Sequence, residues 1–206
     1  MFELTFQKNE RDVEIPRLIT FLNNHKEGME SLLDVGARGS LYSPILRTLF
    51  PRSWGIDLLP DPSVMKNYSE YIVGDFLYED LPLFDFVVSV STIEHVGVEY
   101  VTTRLYKELQ KYFFTRLTKT ARKGLFVSFP YGEAILFDGY YNNIDRTMLE
   151  EFKKDLKGFQ YNIQFISAND PTDAYSWREI PQTLADKATN GLTGCVNTIC
   201  LIEALK

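Results

Sequence analysis

The stretch that most constrains this chain is Ser31-Leu-Leu-Asp34-Val-Gly36-Ala-Arg38-Gly39-Ser40. A short apolar run ends on an acid, breaks at a glycine and passes into a helical pattern. That is the opening of a βαβ unit, and in an open α/β sheet the turn after such a strand is where a ligand meets the backbone. Gly36 suits the place because a residue without Cβ lets the backbone approach a ligand closely.

The pattern repeats downstream. Residues 31–35, 53–58, 71–76, 84–90 and 125–130 read as strands, and 84–90 is a nearly continuous apolar run, the mark of a strand covered on both faces. Between them lie helical patterns. Ile15, Leu18, Ile19 and Leu22 share one helix face, predicting a helix over about 13–27 with Pro16 in its first turn and His25 near its end. Ser43-Pro44 opens a second helix. A long one spans about 99–121, and Leu149, Phe152 and Leu156 define another. Residues 159–167 alternate like a strand, 169–194 lack periodicity apart from a helical turn near Leu184, and 195–205 form a last strand. Strands alternating with helices imply a doubly wound sheet. The last two strands have no helix between them and are expected to pair antiparallel at one edge.

Composition narrows the class. A chain of 206 residues, 45% hydrophobic and 24% charged, has the makeup of one globular domain, 1–206. Its net charge of −6 and the absence of a Lys/Arg block argue against nucleic acid as a partner. No apolar run reaches the length of a membrane span and the first residues are polar, so a cytoplasmic protein is expected. Cys195 and Cys200 fall on opposite faces of one strand and read as free thiols. With only two histidines and no CxxC pair, no metal site is expected.

Three strands end in acids, at Asp34, Asp57 and Asp75. Strand carboxyl ends line the ligand crevice of such a sheet. The second acid can accept both hydroxyls of a ribose, and the third can accept from an adenine amino group.

Leu33-Asp34-Val-Gly36-Ala-Arg38-Gly39-Ser40, Gly55-Ile-Asp57 and Gly74-Asp75-Phe76 resemble the nucleotide-side motifs of class I S-adenosylmethionine-dependent methyltransferases. Phe84 to Gly97, ending Ser91-Thr-Ile-Glu94-His95-Val-Gly97, resembles their fourth strand and following turn, within a likeness that runs from about 31 to 130. That turn, Pro130-Tyr131-Gly132 and the closing strand resemble the members acting in sugar and surface-polysaccharide pathways. The resemblance implies a Rossmann-like three-layer α/β sandwich, with a seven-stranded, mostly parallel sheet and an antiparallel last strand. It places the cofactor half at about 31–130 and the acceptor-side loops within 131–194. It also implies residue roles toward S-adenosylmethionine. Gly36 would lie under the methionine portion, Asp34 would fix the amino group directly or through water, Asp57 would take the ribose hydroxyls and Asp75 the adenine amino group. The Phe76 amide would lie near the ring, and Ser91 near the methionine end. Arg38 and Ser40 stand where the family has glycines, and Arg38 pairs either with a carboxylate of the cofactor or with a neighbouring acid.

The implied activity is methyl transfer to a small acceptor, a hydroxyl of a sugar or surface glycan being the leading reading. His95 is the candidate general base, because histidine titrates near neutral pH and this one follows a central strand. Glu94, Tyr131, Tyr140 and Trp177 are candidate acceptor contacts, with Tyr141, Tyr175, Asp138 and Arg178 behind them. A homo-oligomer stays open. Two alternatives also stay open: a catalytically inactive binding module of the same fold, and a nicotinamide-dependent oxidoreductase, which would prefer Gly-x-Gly-x-x-Gly.

Overall fold

Alternation within each strand decides which helix it meets. The computed structural model describes residues 10–99, 105–133, 136–137, 141–170, 176–190 and 196–206, with backbone alone at 136, 137 and 141. The main sheet holds β1 (Ser31–Val35), β2 (Arg52–Asp57), β3 (Glu70–Val73), β4 (Phe84–Val90), β5 (Ala121–Pro130), β8 (Gln160–Ala168), β9 (Trp177–Glu179) and β10 (Thr198–Leu205). Two short strands, β6 (Leu136–Phe137) and β7 (Tyr141–Asn142), form a separate ribbon inside the loop after β5.

Leu32, Phe86, Val88, Phe126, Ile199 and Leu201 point to one face, where they bury Leu18, Phe21 and Leu22 of α1 (Arg11–His25) and Leu46 of α2 (Ser43–Leu49). Their alternate neighbours Leu33, Val87, Leu125, Val127 and Cys200 point the other way. There they meet Phe113, Phe114 and Leu117 of α4 (Leu105–Thr120) and Leu149 and Phe152 of α5 (Arg146–Asp155). Phe114 and Phe152 stack at 4.3 Å and tie α4 to α5. The period of two along each strand thus builds a helix–sheet–helix sandwich. Two single-turn helices, α3 (Pro62–Met65) and α6 (Gln182–Ala185), and a 3-10 turn at Ile93–His95 complete the described elements.

The strand order is β3-β2-β1-β4-β5-β10-β8-β9, with β1 to β5 mutually parallel and β10 antiparallel to both neighbours. The order reverses between β1 and β4, and a crevice opens at their carboxyl ends.

The α/β sandwich with an antiparallel final strand is as expected, and the last two long strands, β8 and β10, pair antiparallel toward one edge, as expected. Two features differ. The sheet has eight strands rather than seven, because β9 adds to β8 from a stretch without alternation. And α1 begins at Arg11, so Pro16 falls inside it rather than in its first turn. There the ring removes one helical donor, and Thr20 Oγ1 donates to the Pro16 carbonyl at 2.8 Å. Residues 100–104 of the predicted long helix, and Cys195, lie outside the described residues; Cys200 is buried and free. No described helix is long and apolar enough to cross a membrane.

Candidate functional site

β1 and β4 are pinned to each other at both ends. At the amino end, Asp85 Oδ2 accepts from the Glu30 and Ser31 amides at 2.9 and 3.2 Å and from the Ser31 hydroxyl. At the carboxyl end, Thr92 Oγ1 reaches the carbonyls of Val35 and Val90 at 3.3 and 3.2 Å. The Gly36 turn and the turn after β4 therefore lie side by side at the crevice.

Gly36 has φ +83°, and a Cβ there would run into the Thr92 side chain. The close approach it permits is to Thr92, within the chain itself. Ser91 also lies in the left-handed region, at φ 44°, which is uncommon for a residue with a side chain. Its amide donates to the Ser128 carbonyl at 2.9 Å, and its hydroxyl donates to Glu14 Oε1 at 2.7 Å. Glu14 is fully buried, and its other oxygen takes Arg11 at 2.7 Å. The first turns of α1 thus close over the crevice.

Asp34 is fully buried beneath the turn. Its carboxylate accepts from Tyr42 at 3.0 Å and from Tyr68 at 2.5 Å. Burial pushes it up to about 6 in spite of these two hydroxyls. Fully buried and held by two tyrosines, this carboxylate has the geometry of a support for the turn.

Asp57 sits half-buried at the tip of β2. Its Oδ2 accepts the Arg38 amide and its Oδ1 the Leu59 amide, both at 3.1 Å. A carboxylate has about four lone-pair sites, so acceptor capacity remains. Asp61 accepts the Gly39 amide at 3.1 Å. The Arg38 side chain is exposed, and its charge is felt at Asp61. Asp75 follows β3 and accepts the Leu77 amide at 2.9 Å, while the Phe76 ring packs edge-on against Phe113 at 5.2 Å.

In the turn after β4, Glu94 is buried at 2% exposure, whereas the adjacent His95 side chain is 41% exposed. His95 Nε2 stands 3.9 Å from Glu94 Oε1. Burial pushes Glu94 up to about 8; Arg11 opposes this, and Glu14 and Glu10 add to it. The turn is held from α4 by Gln110, which donates to the Ile93 carbonyl at 3.1 Å and to Asn142 at 2.8 Å.

Two expected acceptor contacts are elsewhere. Tyr131 is fully buried, its ring 4.8 Å from Phe165 and its hydroxyl donating to Asp186 at 2.5 Å, so it anchors α6 rather than offering a face to a ligand. Trp177 is half-buried on β9, four strands from β4 or about 19 Å at the usual strand spacing, and packs on the α1 side of the sheet. Tyr140, Tyr175 and Asp138, and the Tyr141 side chain, lie outside the described residues.

The structure thus brings Asp34, Gly36, Arg38, Asp57, Ser91, Glu94 and His95 to one end of the sheet, with Asp75 at the tip of the adjoining strand. To these it adds Arg11, Glu14, Tyr42, Tyr68 and Thr92, which sequence reasoning missed. Glu14 carries a legible signal: it lies four residues before Leu18, on the apolar face of α1, where an acid needs a buried partner.

Solved structures share this architecture along nearly the whole chain. A magnesium protoporphyrin IX methyltransferase from Synechocystis PCC 6803, with bound S-adenosylmethionine, is 13% identical with a TM-score of 0.59, covering 100% of this chain and 86% of its own. The N-methyltransferase NodS from Bradyrhizobium japonicum WM9, in complex with S-adenosyl-L-homocysteine, is 13% identical with a TM-score of 0.60, covering 99% and 90%. The chain has the methyltransferase fold. A 1,6-didemethyltoxoflavin-N1-methyltransferase from Burkholderia thailandensis is also similar, at 13% identity and a TM-score of 0.58, covering 95% and 79%. No protein-family model matches the sequence, and no curated protein matches it.

Proposed function

We propose that the chain transfers a methyl group from S-adenosylmethionine to a small acceptor. The observation that carries this reading is the placement of Asp57 and the Ser91–His95 turn around the β1/β4 crevice of a methyltransferase fold. Asp57 would take the ribose hydroxyls, Asp75 and the Phe76 amide the adenine, and the Gly36 turn and Ser91 the methionine end. Asp34 supports the turn through its two tyrosines. The buried Oε2 of Glu94, without a hydrogen-bond partner among the described residues, and the spare acceptor capacity of Asp57 fit a ligand rich in N–H and O–H donors.

The cofactor, when bound, supplies a methyl group already activated on a sulfonium. The protein's work is then alignment and the right field. For an oxygen acceptor it also includes receiving a proton, and His95 is placed for that, exposed beside the crevice with a carboxylate 3.9 Å away. We assign the acceptor as a hydroxyl of a sugar or surface glycan. This rests on the resemblance of the Ser91–Gly97 turn.

Calorimetry with S-adenosylhomocysteine and with NADH tests the cofactor: the first binds and the second does not. Binding of NADH alone would overturn the reading. His95→Ala and His95→Gln, assayed on candidate sugars, are expected to lose about 10²–10⁴ in turnover, the usual worth of a general base. Unchanged turnover would remove His95 from the mechanism.

A further inference from the structure

On the α1 side of the sheet the apolar face stops before the strands do. β10 has neighbours on both sides, and on this face it presents Ile199 and Leu201, then Glu203, then Leu205. A carboxylate at a helix-facing position of such a strand adds nothing to a hydrophobic seam. Opposite Glu203 on β8 stands Asn162, and opposite Leu205 stands Gln160. Opposed residues share a face, their Cβ atoms about 4.5–5.5 Å apart, so the acid and the two carboxamides form one polar patch. Phe21 and His25 of α1, ring centroids 5.1 Å apart, border it. Together these residues line a cavity of about 250 Å³. It opens to solvent, since Gln160 and Asn162 are exposed and His25, Glu203 and Leu205 half-buried. Among the described residues, the side chains of His25, Gln160, Asn162 and Glu203 make no hydrogen bond within the protein. The cavity lies away from the crevice. Glu14, at the crevice, and His25 are about three turns of α1 apart, or about 17 Å.

We propose that this cavity binds one neutral sugar ring of a saccharide. A sugar ring has a C–H face and a rim of hydroxyls that both donate and accept. Phe21, His25 and Leu205 supply carbon surface for the face. Gln160 and Asn162, which donate and accept, and Glu203, which accepts, meet neighbouring hydroxyls on the rim. The inference goes beyond methyl transfer and uses no residue of the crevice, so either reading can fail alone.

Other ligand classes fit these groups less well. Glu203 repels a phosphate, a sulfate or a carboxylate. A wholly apolar ligand would cover four polar side chains and pair none of them. For a metal ion the cavity offers only His25 and Glu203, fewer donors than such a site needs, and no group of three such donors that could hold a metal exists among the described residues. The size points the same way. Pockets for drug-sized ligands run to roughly 300–1,000 Å³, and this one is smaller, as one ring requires.

The chain has two histidines, His25 at this cavity and His95 at the crevice, so NMR of the imidazole protons reads both places in one spectrum. The probes are the methyl glycosides of glucose, galactose, mannose, rhamnose and N-acetylglucosamine, titrated into the full chain at constant pH. At least one is expected to shift His25 saturably and leave His95 unmoved. Glu203→Gln keeps the side chain's size and should weaken that binding about tenfold, and Asn162→Ala should weaken it about threefold to tenfold. No shift of His25 with any glycoside overturns the proposal, and that result needs no variant to fold. So does a shift confined to His95, which would put the sugar in the crevice as acceptor, and so does binding that both variants leave unchanged. An extended peptide, acetyl-Thr-Val-Thr-Val-Thr-amide, covers the other occupant. If it shifts His25 and no glycoside does, the β8 edge belongs to a protein partner and the sugar site is refuted.

Discussion

Gly36→Ala isolates what the glycine of the first turn does. Its φ of +83° costs a residue with a Cβ about 1–2 kcal/mol. The added methyl would also lie 2.8 Å from Thr92 Cβ and closer still to Oγ1 and Cγ2. Overpacking of that kind adds about 1–3 kcal/mol. A stiffer unfolded chain returns about 0.4–1 kcal/mol. The expected net loss is about 2–4 kcal/mol. Gly28 provides the control, with φ +70° and nothing within 4 Å of an added methyl, so Gly28→Ala meets the backbone cost alone and loses about 1 kcal/mol or less. Urea unfolding followed by tryptophan fluorescence measures both. In a Thr92→Ala background, where the nearest clashing atoms are gone, Gly36→Ala should recover most of the difference. If Gly36→Ala were no worse than Gly28→Ala, or Thr92→Ala recovered nothing, the packing of Thr92 onto the turn would not be what demands glycine.

Other consequences can be measured alongside. Asp34 and Glu94 hold protons in the folded state that the unfolded chain has lost, so stability should fall as pH rises, through about 4 to 6 for Asp34 and about 4.5 to 8 for Glu94. The Asp34 share is on the order of 3 kcal/mol, and Glu94→Gln should flatten the part of the curve between pH 6 and 8. Asp85 runs the opposite way: burial works against its charge, but the Glu30 and Ser31 donors hold it below the usual carboxylate range. Asp85→Asn should cost about 1–3 kcal/mol at neutral pH and less as the solution is acidified. Tyr131→Phe keeps the ring in the core and removes the bond to Asp186 and the long one accepted from Gln182. A loss of about 1 kcal/mol in denaturation, with unchanged affinity for S-adenosylhomocysteine, is the expected pair of results.

The sheet was legible in the sequence where burial is two-sided. β4 falls on the predicted 84–90 because a strand covered on both faces leaves an uninterrupted apolar run. β9 was not legible, since three residues at an exposed edge carry no period. The start of α1 was hidden by its polar first turns, whose purpose is met only across the fold: Ser91 and Glu14 are 77 residues apart. The same distance explains the site. Which acids stand at strand tips is a local property and reads directly, as at Asp57 and Asp75. Which of them is satisfied internally is not. Asp34 and Glu94 looked alike as acids near a turn, but two tyrosines meet one of them, and among the described residues none meets the other.

The position of β10 between β5 and β8 has a consequence for synthesis. Until residues 198–205 have left the ribosome, β5 has no neighbour on that side and β8 and β9 have nothing to join. The nascent chain can pair β1 to β5 early, since each of those strands meets a partner made before or soon after it. It then carries a raw edge along Leu125 to Pro130, the kind of edge that recruits stray strands. The last strand is therefore the one that closes the sheet, and a ribosome stalled before it would hold a half-sheet ready to aggregate.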